Sequence, residues 1–383
     1  MNKKIIALAV ASLASGVAVA QTNVTMYGVV DNMYVYSQGK AGAGGGTNKF
    51  SGLNGRGGTA GNRLGFKGEE ALGNGLKAVF TLEYGLDLDG NNGIGTSGLN
   101  ARQQFVGLSS NWGTVALGRQ YAPGFNATAN NDALEATDLS IQSSLSVYAG
   151  NSITPNSTAR YNNAITYTSN SMSGFTASAI YGFGETKDGA GTYNDQFVST
   201  SDNGRWGLGL NYANGPINLD AVYQSRQNVM TAAAAVGQGE DINEWYVGGS
   251  WDFKVVKAYA SYQALDNNNQ GIVGGLYPQT TIAAKNDIWT VGLSAPLGNG
   301  VVGISYGKLS VDNRNAPDGD SWGWGAMYQY NLSKRTALYA AYSYFDNDRY
   351  SVPVQTQVAG GGEGIGARGE SNYTLGAGIR HSF

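Results

Sequence analysis

Apolar and polar residues alternate with a period of two along most of the chain. In residues 77–89 the even positions carry Ala78, Phe80, Leu82, Tyr84, Leu86 and Leu88, whereas the odd positions are mostly polar. The same alternation returns in segments 205–212, 217–226, 322–330 and 373–380. Because successive side chains of a β-strand point to opposite faces, this pattern predicts strands with one apolar and one polar face.

The connections between these segments alternate between short and long. The short ones include 111–113, 213–216, 296–299 and 331–334, which are built from turn-forming residues. The long ones are rich in Gly, Asn, Asp, Ser and Thr and cover 37–60, 90–99, 121–158, 185–204, 227–243, 266–285, 311–320 and 348–370. This alternation predicts an all-β fold, an antiparallel transmembrane β-barrel of about 16 strands.

Composition narrows the class of protein. Only 13% of the 383 residues are charged, 11% are aromatic, 58 are glycine, none is cysteine and one is histidine. A soluble surface carries more charge, and disordered chains lack aromatic residues. A secreted β-sandwich or β-helix would also alternate, but its polar face would be rich in Lys and Glu. We therefore predict no metal, no cofactor and no nucleic-acid partner.

The first twenty residues resemble a targeting signal. Lys3 and Lys4 precede an apolar run, and Ala18-Val19-Ala20 forms the small-x-small site of signal peptidase. We predict a signal peptide at 1–20 and one barrel domain at 21–383.

A barrel of this strand number encloses an aqueous channel, whereas eight strands would be filled by side chains. The longest loop, residues 121–158, carries Asp132, Glu135 and Asp138 and a helix-compatible stretch at 132–136. Folded into the barrel, it would narrow the channel with an edge of carboxylates. The alternative is an ordinary surface loop, which its length alone would favour.

Several motifs resemble those of a known family. They occur in both halves of the chain and read VTMYGVVD (24–31), NRLGFKG (62–68), LGNGLKA (72–78), FVGL (105–108), GTVALGRQ (113–120), NLSKRT (331–336) and GIRHSF (378–383). Together they are similar to the trimeric general diffusion porins of the Gram-negative outer membrane, and most of all to the neisserial-type branch. The resemblance implies a homotrimer with one pore per subunit, each narrowed by an inward-folded third loop.

The resemblance also implies a basic cluster on the pore wall, formed by Arg63, Arg102 and Arg160. Strand parity supports Arg63 and Arg160, which share their faces with polar residues, but Arg102 lies on the face of Val106 and Leu108. The secondary basic candidates are Lys77 and Arg119, and the acidic candidates are Glu83, Asp132, Glu135 and Asp138.

The function predicted from these features is passive diffusion of ions and small hydrophilic solutes, with a weak preference for anions. The alternative is a substrate-selective channel for small sugars or carboxylates, which often lines its path with an aromatic track. Tyr27, Tyr246, Tyr259 and Tyr339 have inward-compatible parity, but the sequence does not place them on one line. An enzyme is not predicted, because the G-x-S-x-G match at 303–307 lies inside an alternating strand and the one histidine is His381.

The chain ends in an alternating strand with a terminal Phe383. This ending resembles the signal read by the outer-membrane barrel assembly machinery. That machinery, outer-membrane lipid and lipopolysaccharide are the further partners that the resemblance implies.

Overall fold

The computed structural model describes residues 23–40, 42, 45–90, 101–184, 204–229, 240–267, 285–313, 317–357 and 365–383. The predicted signal peptide lies outside the described residues, as do most of the predicted loops at 90–99, 185–204, 227–243 and 266–285. The strands are β1 (Asn23–Lys40), β2 (Thr47–Asn54), β3 (Arg63–Gly73), β4 (Leu76–Gly85), β5 (Ala101–Ser110), β6 (Gly113–Tyr121), β7 (Arg160–Thr168), β8 (Phe175–Gly182), β9 (Arg205–Asn214), β10 (Ile217–Val229), β11 (Glu240–Asp252), β12 (Lys257–Asn267), β13 (Lys285–Leu297), β14 (Gly300–Asp312), β15 (Gly319–Asn331), β16 (Thr336–Asn347) and β17 (Ser371–Ser382).

Neighbouring strands pair antiparallel around a closed 16-stranded barrel, which confirms the predicted fold class. Seventeen segments fill sixteen wall positions because β2 and β3 lie end to end along β1. Residues 33–40 of β1 pair with β2, and residues 23–29 pair with β3. On its other edge β1 pairs with β17, so that Val29 faces Ser382 across the closing seam. Closure satisfies the backbone hydrogen bonds that lipid could not satisfy.

The prediction of a loop at 37–60 is wrong for most of these residues. β1 continues to Lys40, and β2 returns along it from Thr47. The glycine-rich sequence between them resembles a loop, but the strands on either side of it pair as far as Lys40 and Thr47. The chain leaves the wall later, between β2 and β3, at residues 55–62.

The outer face of the barrel is apolar and carries a belt of aromatic pairs. Leu208, Leu219, Val247 and Val291 are all exposed there. Rings of adjacent strands contact each other at centroid distances of 5.1–5.5 Å in the pairs Trp206–Tyr223, Trp245–Tyr262, Trp289–Tyr306 and Trp322–Tyr344. This is the girdle expected where hydrocarbon meets the lipid headgroups.

The long loop, residues 122–159, packs against the other, polar face of the strands. It contains α1 (Pro123–Asn130), which contacts β9, β10 and β11, and α2 (Ile141–Tyr148), which contacts β13, β14 and β15. None of the helices in the described part is long and apolar enough to cross a membrane. Glycines on the wall make room for the loop. A Cβ on Gly303 would lie 2.4 Å from the Ala133 carbonyl oxygen, and one on Gly307 would lie 2.9 Å from Leu145 Cδ1.

The helix predicted at 132–136 is not formed. Glu135 and Ala136 adopt positive φ angles of 57° and 54°, which interrupt a right-handed helix. The Asp132 carboxylate instead accepts hydrogen bonds from the backbone N–H groups of Leu134 and Ala136, each at 3.0 Å, and stabilises a turn. The residues on either side of this turn form the two helices.

Candidate functional site on the inner barrel wall

Glu83 on β4 lies at the centre of a charged cluster on the inner wall. Its side chain is only 6% exposed and points away from the lipid-facing Leu82. It accepts a hydrogen bond from Arg102 Nε at 2.7 Å and one from the Tyr27 hydroxyl at 3.0 Å, and Arg63 Nε lies 3.9 Å away. One carboxylate is therefore shared by two guanidinium groups, which leaves an excess of positive charge.

Arg102 reaches this cluster because a bulge interrupts the pairing of β4 with β5. Leu82 faces Gln104, but Tyr84 faces Ala101, so β5 has one residue more than β4 across this interval. A bulge redirects the side chains next to it. This explains why Arg102 points inward although Val106 and Leu108, on the same parity, are exposed on the outer face.

Tyr121 at the end of β6 connects Arg102 to Arg160. Its hydroxyl accepts hydrogen bonds from an Nη2 of each arginine, both at 3.3 Å. The Arg160 guanidinium lies 4.9 Å from the Tyr121 ring centroid, and the ring stacks on Phe125 of α1 at 3.7 Å. The structure thus brings the three principal basic candidates, Arg63, Arg102 and Arg160, into one cluster next to the start of the long loop.

The two secondary basic candidates lie elsewhere. Arg119 donates to the carbonyl oxygens of Ala101 at 3.0 Å and Arg160 at 3.4 Å, so its guanidinium connects neighbouring strands. Lys77 lies beside the turn between β3 and β4, where its Nζ pairs with Glu69 at 2.9 Å. It is six residues from Glu83 on β4, about 20 Å along a strand, and therefore lies outside the cluster around Glu83.

The acidic candidates of the long loop differ from one another. Asp132 is buried, and its carboxylate accepts hydrogen bonds from backbone N–H groups and from the Ser140 hydroxyl. Burial raises the pKa of its carboxyl. Asp138 is half-buried, and burial together with the nearby Asp31 raises its pKa to about 7. Glu135 is exposed and is the best placed of the three to carry negative charge.

Two further arginines lie on strands next to this basic cluster and extend it around the barrel wall. The sequence-based prediction missed both of them. Arg226 on β10 donates to Glu244 Oε1 at 2.9 Å and to the Gly150 carbonyl of the long loop at 3.0 Å. Arg205 on β9 lies directly opposite Arg226 in the strand pairing, with its guanidinium 5.6 Å from the Tyr161 ring centroid. Arg205 shares its parity with Gly207, Gly209 and Asn211, so the alternation did contain a signal for it.

The four tyrosines with inward-compatible parity make separate local contacts. Tyr246 is buried and donates to the Ala127 carbonyl of α1 at 3.3 Å, and Tyr339 is buried and donates to Asp31. Tyr27 donates to Glu83, and Tyr259 contacts the Ser294 hydroxyl at 3.1 Å. Each ring serves a local contact. Among the described residues there is also no group of His, Cys, Asp and Glu side chains that could hold a metal ion.

Phe383 closes the last strand onto the first. Its N–H donates to the Gly28 carbonyl and its carbonyl accepts from the Gly28 N–H, both at 3.1 Å. The ring is 42% exposed and covers Gly28, where a Cβ would lie 2.4 Å from a ring carbon. The terminal aromatic residue therefore lies on the wall at the closing seam.

A closed barrel of sixteen strands with an apolar belt outside and charged groups inside defines a membrane channel protein. The chain belongs to the Gram-negative porin family, whose model matches residues 7–350. It is 32% identical to outer membrane porin protein 32 of Delftia acidovorans and 30% identical to an outer membrane porin protein of Bordetella pertussis, each over 100% of both chains. Among solved structures it is similar to the anion-selective porin from Comamonas acidovorans, with 30% identity, a TM-score of 0.73, and coverage of 95% of this chain and 100% of that one.

These findings confirm the predicted class, location and general function. The protein is an outer-membrane porin, a water-filled channel for passive diffusion of ions and small hydrophilic solutes, and its family is one of channels and not of enzymes.

Proposed function

We propose that the pore prefers anions. Arg63, Arg102 and Arg160 form the basic wall that gives this preference, and Arg205 and Arg226 extend that wall. The observation that carries the proposal is the convergence of Arg63 and Arg102 on the single carboxylate of Glu83, with Arg160 beside them on Tyr121. The net positive charge lowers the energy of an anion that passes within a few ångströms. We propose no catalytic residue.

The long loop opposes this wall with little negative charge. Asp132 is enclosed by hydrogen bonds, and Asp138 has a pKa of about 7. We propose that the loop narrows the pore and that Glu135 is the one exposed acidic residue of the loop. The similar porin from Comamonas acidovorans is described as anion-selective, which supports the same preference here.

We also propose a homotrimer, as the resemblance to trimeric porins implies. The short strands β5 to β7 expose Val106, Leu117 and Ile165 at 58%, 56% and 39%. These branched side chains form an apolar strip on the outer face, on strands that carry none of the aromatic pairs described above. Such a strip suits packing against a second copy in the membrane.

Recording from purified protein in a planar bilayer tests these proposals together. In a salt gradient of potassium chloride, we expect a reversal potential of the sign that chloride preference gives, and conductance that increases in groups of three equal steps. A potential of the opposite sign would overturn the anion preference. Single steps would overturn the trimer and leave the channel function intact.

The raised pKa of Asp138 gives a testable pH dependence. Because that pKa is about 7, the carboxyl is mostly charged at pH 8 and mostly neutral at pH 6. Lowering the pH therefore removes a negative charge near Asp31, Arg56 and Arg102, and we expect the anion preference to increase. Reversal potentials at pH 8 and pH 6 measure the change. Asp138→Asn should abolish it, and a pH dependence that persists in this variant would assign it to another group.

We propose that Phe383 is part of the signal that the barrel assembly machinery reads, and that the mature barrel contacts outer-membrane lipid and lipopolysaccharide. Deletion of Phe383 removes two backbone hydrogen bonds and the ring over Gly28. We expect a several-fold lower yield of heat-resistant barrel in outer-membrane fractions, and normal conductance of the barrels that do assemble. Leu332→Ala, at an exposed turn residue, is the control. Equal yields would contradict the signal role.

A further inference from the structure

Residues 351–357, which precede β17, pack against buried residues of β15, β16 and β17. Val352, Val354 and Thr356 are buried. The Ser351 hydroxyl lies 2.7 Å from that of Ser321 on β15, and the Thr356 hydroxyl lies 2.6 Å from that of Thr374 on β17. The segment is therefore fixed to the wall at both ends.

The Val354 backbone adds a third attachment to this segment. Its carbonyl accepts hydrogen bonds from the side-chain amides of Asn347 at 3.0 Å and Asn372 at 2.8 Å, and its N–H donates to Asn347 Oδ1 at 3.0 Å. All three groups are buried. Buried and paired polar groups of this kind specify one position for a segment.

Residues 55–62, between β2 and β3, are fixed to the wall in a similar way by Asp31. The fully buried Asp31 carboxylate accepts from the N–H groups of Thr59 at 2.8 Å and Ala60 at 2.9 Å, from the Thr59 hydroxyl at 2.8 Å, and from the Tyr339 hydroxyl. Four donors satisfy a charge that burial would otherwise make unfavourable.

These two fixed segments meet the long loop at the same residue. The Asp138 N–H donates to the Gly58 carbonyl at 3.2 Å, and the Asp138 carbonyl accepts from the Gln357 N–H at 3.4 Å. The Gln357 side chain then reaches two more points of the loop. Its Nε2 donates to Ser143 Oγ at 2.6 Å, and its Oε1 accepts from Asn156 Nδ2.

We propose that Gln357 and Asp31 are positioning residues that clamp the long loop across the pore. Gln357 connects the segment at 351–357 to α2 and to residue 156, and Asp31 holds the segment at 55–62 against residue 138. A loop of this length that was held only at its two ends would sample many positions. The clamp fixes the distance between the loop and the basic wall, and so the size limit of the channel. This inference rests on the proposed narrowing of the pore by the loop.

The position of the loop can be measured directly, because the natural chain contains no cysteine. Spin labels on Glu135→Cys in the loop and on Lys334→Cys in the exposed turn between β15 and β16 report one distance by pulsed electron paramagnetic resonance. We expect a narrow distribution in the otherwise unchanged chain. With Gln357→Ala we expect a broad one and about a tenfold larger population of displaced loop, because two side-chain hydrogen bonds to the loop are lost.

A matched control is Gln329→Ala. Gln329 is a buried glutamine on β15, but its Nε2 donates to Asn331 and not to the loop. Asp31→Asn is a second test, since an amide offers one acceptor oxygen where the carboxylate offers two. We expect it to broaden the distribution while the barrel remains heat-resistant.

Single-channel recording gives an independent measurement on the same variants. Gln357→Ala should increase the frequency of brief partial closures several-fold, and Gln329→Ala should not. An unchanged label distribution and an unchanged closure frequency in both Gln357→Ala and Asp31→Asn would overturn the clamp. A broadened distribution without any change in conductance would support the clamp and instead overturn the proposal that the loop narrows the pore.

Discussion

Replacing Arg102 by glutamate should turn the anion preference into a cation preference. Arg102 is the arginine closest to Glu83, at 2.7 Å, and its side chain is 15% exposed. The substitution changes the charge of the wall by two and places a second carboxylate beside Glu83. For an ion that passes about 5 Å away in a water-like dielectric, a change of two unit charges alters the electrostatic energy of the ion by about 1.7 kcal/mol. This energy corresponds to a change of more than about tenfold in relative permeability.

The reversal potential in a potassium chloride gradient measures this change, and its sign should reverse. Arg335→Glu introduces the same change of charge at the exposed turn between β15 and β16 and is the matched control. Arg102→Gln should give an intermediate value. If Arg102→Glu keeps the potential of the parent protein, the cluster around Glu83 does not determine selectivity.

Replacing Gly303 by leucine should displace the long loop from the wall. A Cβ at this position would lie 2.4 Å from the Ala133 carbonyl oxygen, which is backbone and cannot rotate away. The extra side-chain atoms would push residues 133–134 into the lumen. We expect a lower single-channel conductance and a loss of stability of about 1–3 kcal/mol, the usual effect of overpacking.

Thermal unfolding and single-channel conductance measure these two effects. Gly46→Leu is the matched control, because nothing lies within 4 Å of a Cβ built there. Unchanged conductance in Gly303→Leu, with the barrel assembled, would show that the loop can move aside without obstructing the pore.

The alternation of residues was sufficient to predict the barrel, because each strand must present one face to lipid and the other to water. The same alternation did not predict the structure correctly where the chain departs from a regular strand. The glycine-rich sequence between β1 and β2 predicts a loop where the two strands pair, and parity places Arg102 on the outer face because a bulge in β5 shifts the register. Neither feature follows from local sequence, since a bulge is defined by the partner strand.

The acidic residues show the same limit. The sequence placed Asp132, Glu135 and Asp138 in one loop, but only the folded loop shows that Asp132 is enclosed by the N–H groups of Leu134 and Ala136. Arg205 is a different case, because its parity was visible and its position facing Arg226 required only the strand pairing. The prediction of the site therefore lacked two kinds of information, the local turn around Asp132 and the pairing of β9 with β10.

The pairing of β1 with β17 also determines when the barrel can form. The hydroxyl groups of Ser37 and Thr374, 337 positions apart in sequence, lie 2.8 Å from each other across this seam. Among the described strand pairings, the one with the greatest loop-closure entropy is thus completed by β17. Until that strand arrives, the chain has two open edges that can pair with any other strand. A chain that ended before β17 would keep fifteen wall positions in order and still have no stable place in lipid.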